Sequence, residues 1–204
     1  MFENIKIKVC GLTSPDNIKA VDELGVAYLG FIFYPKSKRD ATALDPETIR
    51  FVKAKKVGVF VNEGLYDIVQ KVIKYKLDAV QLHGDETPEE CAYLKKLGLE
   101  VFKVFSVDED FDFLELENYK TSAHFFLFDT KGKERGGNGI AFDWDILKKY
   151  DNQMPLILSG GINPENIIQA KALDYLNLYA LDLNSGFELE PGIKDIQALQ
   201  QALK

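Results

Sequence analysis

Cysteine is scarce in this 204-residue chain: there are two, Cys10 and Cys91. Thiols so far apart in sequence give neither a metal cluster nor a disulfide framework, and a reduced, cytoplasmic compartment is the expectation. Long hydrophobic runs are missing too. None approaches the roughly 20 residues that a helix needs to cross a bilayer, so no membrane partner is expected. The segment Met1-Phe2-Glu3-Asn4-Ile5-Lys6 carries no apolar signal core and no small-residue cleavage site. Positive charge is in deficit, with 25 Lys and Arg against 32 Asp and Glu and a net charge of -7. Nucleic acid, whose phosphates attract Lys and Arg, is a poor partner for such a chain. A small anion is not excluded, because local cations or backbone N–H groups suffice to bind one. No His, Cys and Asp cluster has metal-ligand spacing, and no Ser-His-Asp arrangement emerges. Linkers and low-complexity segments are absent as well.

What is present is repetition. A short apolar run, a loop and an amphipathic stretch follow one another along the whole chain. The runs are Ile5–Cys10, Tyr28–Phe33, Val57–Val61, Ala79–Leu82, Val101–Phe105, His124–Asp129, Leu156–Ser159 and Leu178–Leu183. Their Val, Ile, Phe and Leu content suits strands of a buried parallel sheet. Helical patterns cover Asp16–Leu24, Leu65–Tyr75, Pro88–Leu97, Pro164–Ala172 and Ile193–Leu203. Thr87-Pro88-Glu89-Glu90 reads as an N-cap, a proline at the first helical position and acids in the first turn. Asn163-Pro164-Glu165 repeats that logic, and the connection around Asp110–Tyr119 is the weakest helix. Eight strand–helix units predict a (β/α)8 TIM barrel of the α/β class, formed by residues 1–204 as a single domain. A doubly wound open sheet is the runner-up.

In such a barrel the working residues sit where strands end and βα loops begin. Strand one ends at Cys10, and strand two runs into a basic loop, Lys36-Ser37-Lys38-Arg39. Strand four ends in His83-Gly84-Asp85 and strand six in Asp129. Strand seven ends in Ser159-Gly160-Gly161 and strand eight in Asp182-Leu183-Asn184-Ser185-Gly186. Glycines after strands seven and eight let backbone N–H groups approach an anion, and a following helix adds positive potential, so a phosphate site is favoured there over simple tight turns. The loop Thr130–Gly139, with four glycines and four charges, is a candidate lid.

Alternation sorts strand one: Lys6, Lys8 and Cys10 share one face, Ile5, Ile7 and Val9 the other. The apolar face meets the helices, which turns Lys8 into the barrel mouth below Cys10. There it either pairs with Asp182, since strand eight closes onto strand one, or lies solvated at the rim. A nearby ammonium is expected to lower the thiol pKa toward neutrality and let Cys10 act as a general base. Asp129, on the far wall, is a candidate general acid or a loop hydrogen-bond acceptor. His83 is left in a supporting role, His124 in none, and Cys91 reads as a helical core residue.

Taken together, several segments resemble phosphoribosylanthranilate isomerases: Lys8-Val9-Cys10-Gly11, Gly30-Phe31-Ile32-Phe33-Tyr34-Pro35-Lys36-Ser37, Val80-Gln81-Leu82-His83-Gly84-Asp85, Gly136-Gly137-Asn138-Gly139 with Phe142-Asp143-Trp144, and Ser159-Gly160-Gly161-Ile162-Asn163-Pro164. The tail, Asn184-Ser185-Gly186-Phe187-Glu188 with Pro191-Gly192-Ile193-Lys194-Asp195, is similar to theirs as well. The resemblance implies a cofactor-free barrel of tryptophan biosynthesis. Its substrate is a small phosphoribosyl compound and its reaction an Amadori rearrangement. It also implies roles at the matched positions. Cys10 becomes the base at C2′, Asp129 the acid at the ring oxygen, and Arg39 the holder of the anthranilate carboxylate. Gly137, Gly139, Gly160, Gly161, Ser185 and Gly186 line the phosphate. Two departures stand out: strand eight reads Leu-Asp-Leu-Asn-Ser-Gly where Val-Asp-Val-Ser-Ser-Gly is more usual, and Asn138 stands where Thr or Ser is common. A sister sugar-phosphate barrel or a non-catalytic phosphate binder are the alternatives. The cysteine ending strand one argues against the histidine-pathway isomerase, which pairs two aspartates, and a binder has no need of an acid and a base on opposite walls. No signal in the sequence selects monomer over homodimer.

Overall fold

Near-continuous apolar runs need cover on both faces, and here each finds it. The computed structural model describes residues 5–130 and 144–204. Eight parallel strands close into a barrel in chain order: β1 (Lys6–Cys10), β2 (Tyr28–Ile32), β3 (Lys55–Phe60), β4 (Ala79–Leu82), β5 (Glu100–Val107), β6 (Phe125–Thr130), β7 (Leu156–Ser159) and β8 (Leu178–Leu183). β8 pairs with β1, setting Lys8 opposite Asp182, and this seam removes the sheet edges. Ile7, Val9, Leu29, Phe31 and Val80 face outward into the shell of helices and loops. Tyr28, Val57, Ala79, Phe102, Val104, Leu127, Ile157 and Ala180 fill the interior. The barrel is therefore a packed core and not a pore.

The helices are α1 (Pro15–Glu23), α2 (Leu65–Tyr75), α3 (Pro88–Lys96), α4 (Ile167–Lys171) and α5 (Ile196–Ala202). α3 starts on the capping box legible in sequence: Thr87 Oγ1 accepts from Glu90 N, and Glu90 Oε2 accepts from Thr87 N. Among the described residues, three connections carry 3-10 turns and no α-helix, at Pro46–Ile49, Phe113–Tyr119 and Trp144–Lys149. Two helix starts differ from expectation. α4 begins at Ile167, not Pro164, because Asn163 and Asn166 fold the preceding turn onto each other's backbone. Ile193–Lys194 is not helical: it forms β10, antiparallel to β9 (Glu188–Glu190) across the Pro191-Gly192 turn. Asp195 then caps α5, accepting from Gln197 N and Ala198 N.

The amino-terminal end of the barrel is closed by its own polar network. Tyr28 Oη lies 2.9 Å from Tyr179 Oη and donates to Glu100, Lys6 donates to Tyr179, and Lys55 pairs with Glu100. That leaves the carboxyl ends of the strands as the face where a ligand can enter. Among the described residues no helix is long and apolar enough to cross a membrane.

Candidate active site

β1 and β8 build one wall of the mouth. Lys8 is completely buried, and its Nζ donates to Asp182 Oδ1 at 2.9 Å, so the pair at the closing seam is present and the solvated rim position is not. Burial works against the ammonium, but Asp182 and Cys10 outweigh it and hold the Lys8 pKa above its ordinary value. Cys10, 3% exposed, lies directly above. The thiol differs from expectation: burial pushes its pKa up, and the opposing pull of Lys8 does not bring it back. β2 makes room for the thiol, since a Cβ on Gly30 would lie 2.7 Å from Cys10 Sγ. Gly30 lies in a segment that carries the family resemblance but was assigned no role from the sequence; its signal is a glycine inside a strand, which marks close approach of another chain segment.

The opposite wall carries Asp129 at the end of β6, with Ser106 and Ser159 as its neighbours in register. His83, at the end of β4, brings Nε2 to 3.5 Å from Asp129 Oδ2, ion-pair range but longer than a good hydrogen bond. Both side chains are partly exposed to the mouth. The loop carrying His83 is anchored from behind. Lys103, buried on the outer face of β5, donates to Gly84 O and to Glu86, whose carboxylate also accepts from Asn62 N and Gly84 N. A cavity of about 550 Å³ opens here, walled by His83, Ser106, Phe105, Phe111 and Tyr119.

Arg39 projects from the loop after β2, and its fork is already engaged. Nε donates to both oxygens of Glu188, at 2.8 and 3.0 Å, and Nη2 donates to Oε2 at 2.6 Å. Glu188 also accepts from Lys194 Nζ at 2.6 Å, and that fully buried ammonium donates to Asn184 Oδ1 as well. Burial pushes the Glu188 pKa up, but Arg39 and Lys194 more than reverse this and hold it below its usual range. Burial lowers Lys194, which Glu188 offsets only in part. Glu188 and Lys194 were not singled out as functional from the sequence. The Pro191-Gly192 turn was the available clue, because a hairpin about it sets Lys194 opposite Glu188.

After β7, Gly160 and Gly161 take φ of 88° and 65°, left-handed values that favour glycine. Asn166 Nδ2 donates to Gly161 O and braces the turn. The loop after β8 touches it: a Cβ on Gly186 would lie 2.2 Å from Ile162 O. Gly160, Gly161, Ser185 and Gly186 thus sit on two abutting loops at the mouth, but α4 starts too late and is too short for its N-terminus to contribute as expected. Gly137, Asn138, Gly139 and the candidate lid beyond Thr130 lie outside the described residues. Among the described residues no three His, Cys, Asp or Glu side chains gather as metal ligands. Cys91 is buried in α3 with its pKa pushed up to about 12 by burial, an inert thiol. His124 stands at the opposite end of the barrel, its Nδ1 accepting from Val101 N.

Comparison with known proteins converges. Residues 7–204 match the family model described as N-(5'phosphoribosyl)anthranilate (PRA) isomerase. An N-(5'-phosphoribosyl)anthranilate isomerase of Parabacteroides distasonis is 42% identical over 205 residues, covering 97% of this chain and 91% of the relative. The crystal structure of phosphoribosyl anthranilate isomerase from Thermotoga maritima superposes with a TM-score of 0.84 at 36% identity, covering 98% of this chain and 97% of that one. A further phosphoribosyl anthranilate isomerase structure, in complex with reduced 1-(o-carboxyphenylamino)-1-deoxyribulose 5-phosphate, gives a TM-score of 0.82 at 34% identity, with coverage of 98% and 97%.

Proposed function

We infer that this chain, which belongs to the N-(5′-phosphoribosyl)anthranilate isomerase family, catalyses the Amadori rearrangement of N-(5′-phosphoribosyl)anthranilate to 1-(2-carboxyphenylamino)-1-deoxyribulose 5-phosphate in tryptophan biosynthesis. The observation that carries the reading is the placement of a thiol and a carboxyl on opposite walls of one barrel mouth, Cys10 on β1 and Asp129 on β6.

The chemistry asks for an acid and a base. Asp129 gives its proton to the furanose ring oxygen; the C1′–O bond breaks, and the anilino nitrogen lone pair moves in to form an iminium. Cys10 takes the proton from C2′, and the electrons of that C–H bond flow to the iminium to give an enolamine. Tautomerisation then yields the C2′ ketone. A hydrogen moves within one molecule, so the stoichiometry calls for no external oxidant or reductant. Each positioned acid or base supplies about 10²–10⁴-fold. His83, beside Asp129, steadies its carboxyl, while Lys8 and Asp182 support the wall beneath Cys10. Arg39 holds the anthranilate carboxylate, and the loops bearing Gly160, Gly161, Ser185 and Gly186, with Gly137 and Gly139, take the phosphate through backbone N–H groups.

Restoring growth of an isomerase-deficient tryptophan auxotroph tests this reading. Growth without tryptophan is the expected result. Failure by protein shown to be expressed and folded would overturn it.

A further inference from the structure

The Arg39 fork meets Glu188 before any ligand arrives. Three hydrogen bonds of 2.6–3.0 Å tie its Nε and Nη2 edge to one carboxylate. Glu188 is in turn fixed from behind, by Lys194 Nζ at 2.6 Å and by Gly192 N at 3.2 Å. The Glu188 side chain is 5% exposed and that of Lys194 fully buried, whereas Arg39 keeps 21%. Among the described residues nothing accepts a hydrogen bond from the Nη1 side of Arg39. A lone carboxylate paired with Arg39 would cancel the charge a ligand needs. Two cations sharing one carboxylate leave the cluster net positive, so Arg39 is held rigid without losing its attraction for an anion.

We propose that Glu188, clamped by Lys194 across the β9–β10 hairpin, is a positioning residue that fixes Arg39 so that its Nη1 side reads the substrate carboxylate. This rests on the functional reading above and adds to it the device that orients Arg39. Freed of Glu188, the side chain would have to be ordered by each arriving ligand, and that lost conformational freedom weakens binding. That cost falls on carboxylate-bearing ligands alone.

The test uses two probes, reduced 1-(o-carboxyphenylamino)-1-deoxyribulose 5-phosphate and its counterpart lacking the carboxyl, with binding followed by calorimetry. Glu188→Asp keeps the charge facing Lys194 and alters only the reach of the clamp. It should weaken the carboxyl-bearing probe about tenfold and the carboxyl-free probe by less than about twofold. Glu188→Gln should show the same selective loss. Equal weakening of both probes would mark a general structural role, and unchanged affinity in Glu188→Asp would mean that Arg39 needs no clamp. Tighter binding of the carboxyl-bearing probe by Glu188→Gln would make Glu188 a screen of Arg39. Each of these results overturns the proposal. Unmodified protein that binds neither probe would instead contradict the functional reading itself. Equal affinity of unmodified protein for the two probes would remove the carboxylate-reading role of Arg39, and the clamp with it.

Discussion

Cys10 sits between opposing influences. Burial favours the neutral thiol, while the ammonium of Lys8 favours the thiolate, and burial prevails. A base with a raised pKa is active in its deprotonated form, so the sign of the pH dependence follows. kcat/KM for the free protein should climb as pH rises through and beyond the ordinary thiol range near about 8.5. A pH–rate profile checks this; a plateau already complete at neutral pH would contradict it. The residue scale is also where the sequence is most and least informative. The Lys8–Asp182 pair is legible because β8 must close onto β1 and alternation turns both side chains inward. The direction of the Cys10 shift is not, because it depends on how completely neighbouring strands exclude water. Glu188 on Arg39 was equally hidden, since both residues lie beyond the ends of their barrel strands, where no barrel register fixes which side chains meet.

At the scale of elements, β1 and β2 approach so closely at Gly30 that a side chain there would have to displace Cys10. Gly30→Ala would press a methyl against Cys10 Sγ and backbone. Overpacking of this kind costs about 1–3 kcal/mol. The variant should melt earlier and turn over more slowly, as thermal denaturation and steady-state kinetics would report; a neutral outcome in both would contradict the close approach. The strands were legible because each is an apolar run bounded by turn residues, as a doubly covered parallel sheet requires. The 3-10 connections were not, because short one-turn elements carry no sustained period. Ile193–Lys194 read as helix because an apolar residue there continues the α5 pattern. The ion pair of Lys194 with Glu188, across the hairpin, is what the pattern could not contain.

The whole molecule is a barrel whose two ends differ in what they gather. Its amino-terminal end is sealed by Tyr28, Tyr179, Glu100 and two lysines, and the opposite end gathers Cys10, Asp129, His83, Arg39 and the glycine loops. The Lys8–Asp182 pair lies on the closing seam, directly beneath Cys10. Asp182→Ala would leave a buried ammonium without its partner, a change that costs about 3–5 kcal/mol. For a chain of this length that corresponds to a melting temperature lower by roughly 10 °C. A melting curve superposable on that of the unmodified protein would show that the seam does not depend on the pair. The barrel itself was legible from eight equal units; the meeting of Glu188, Lys194 and Arg39 at the mouth was not, because only closure brings the ends of β2 and β8 together.

The central claim is that Cys10 and Asp129 act as base and acid on one substrate. Turnover of N-(5′-phosphoribosyl)anthranilate by purified protein in chelator-treated buffer tests it most directly, with Cys10→Ala and Asp129→Asn measured alongside. The account predicts turnover by the unmodified protein and a loss of about 10²-fold or more in kcat for each folded variant. Absence of turnover by the unmodified protein, or near-normal turnover by either variant, would contradict it.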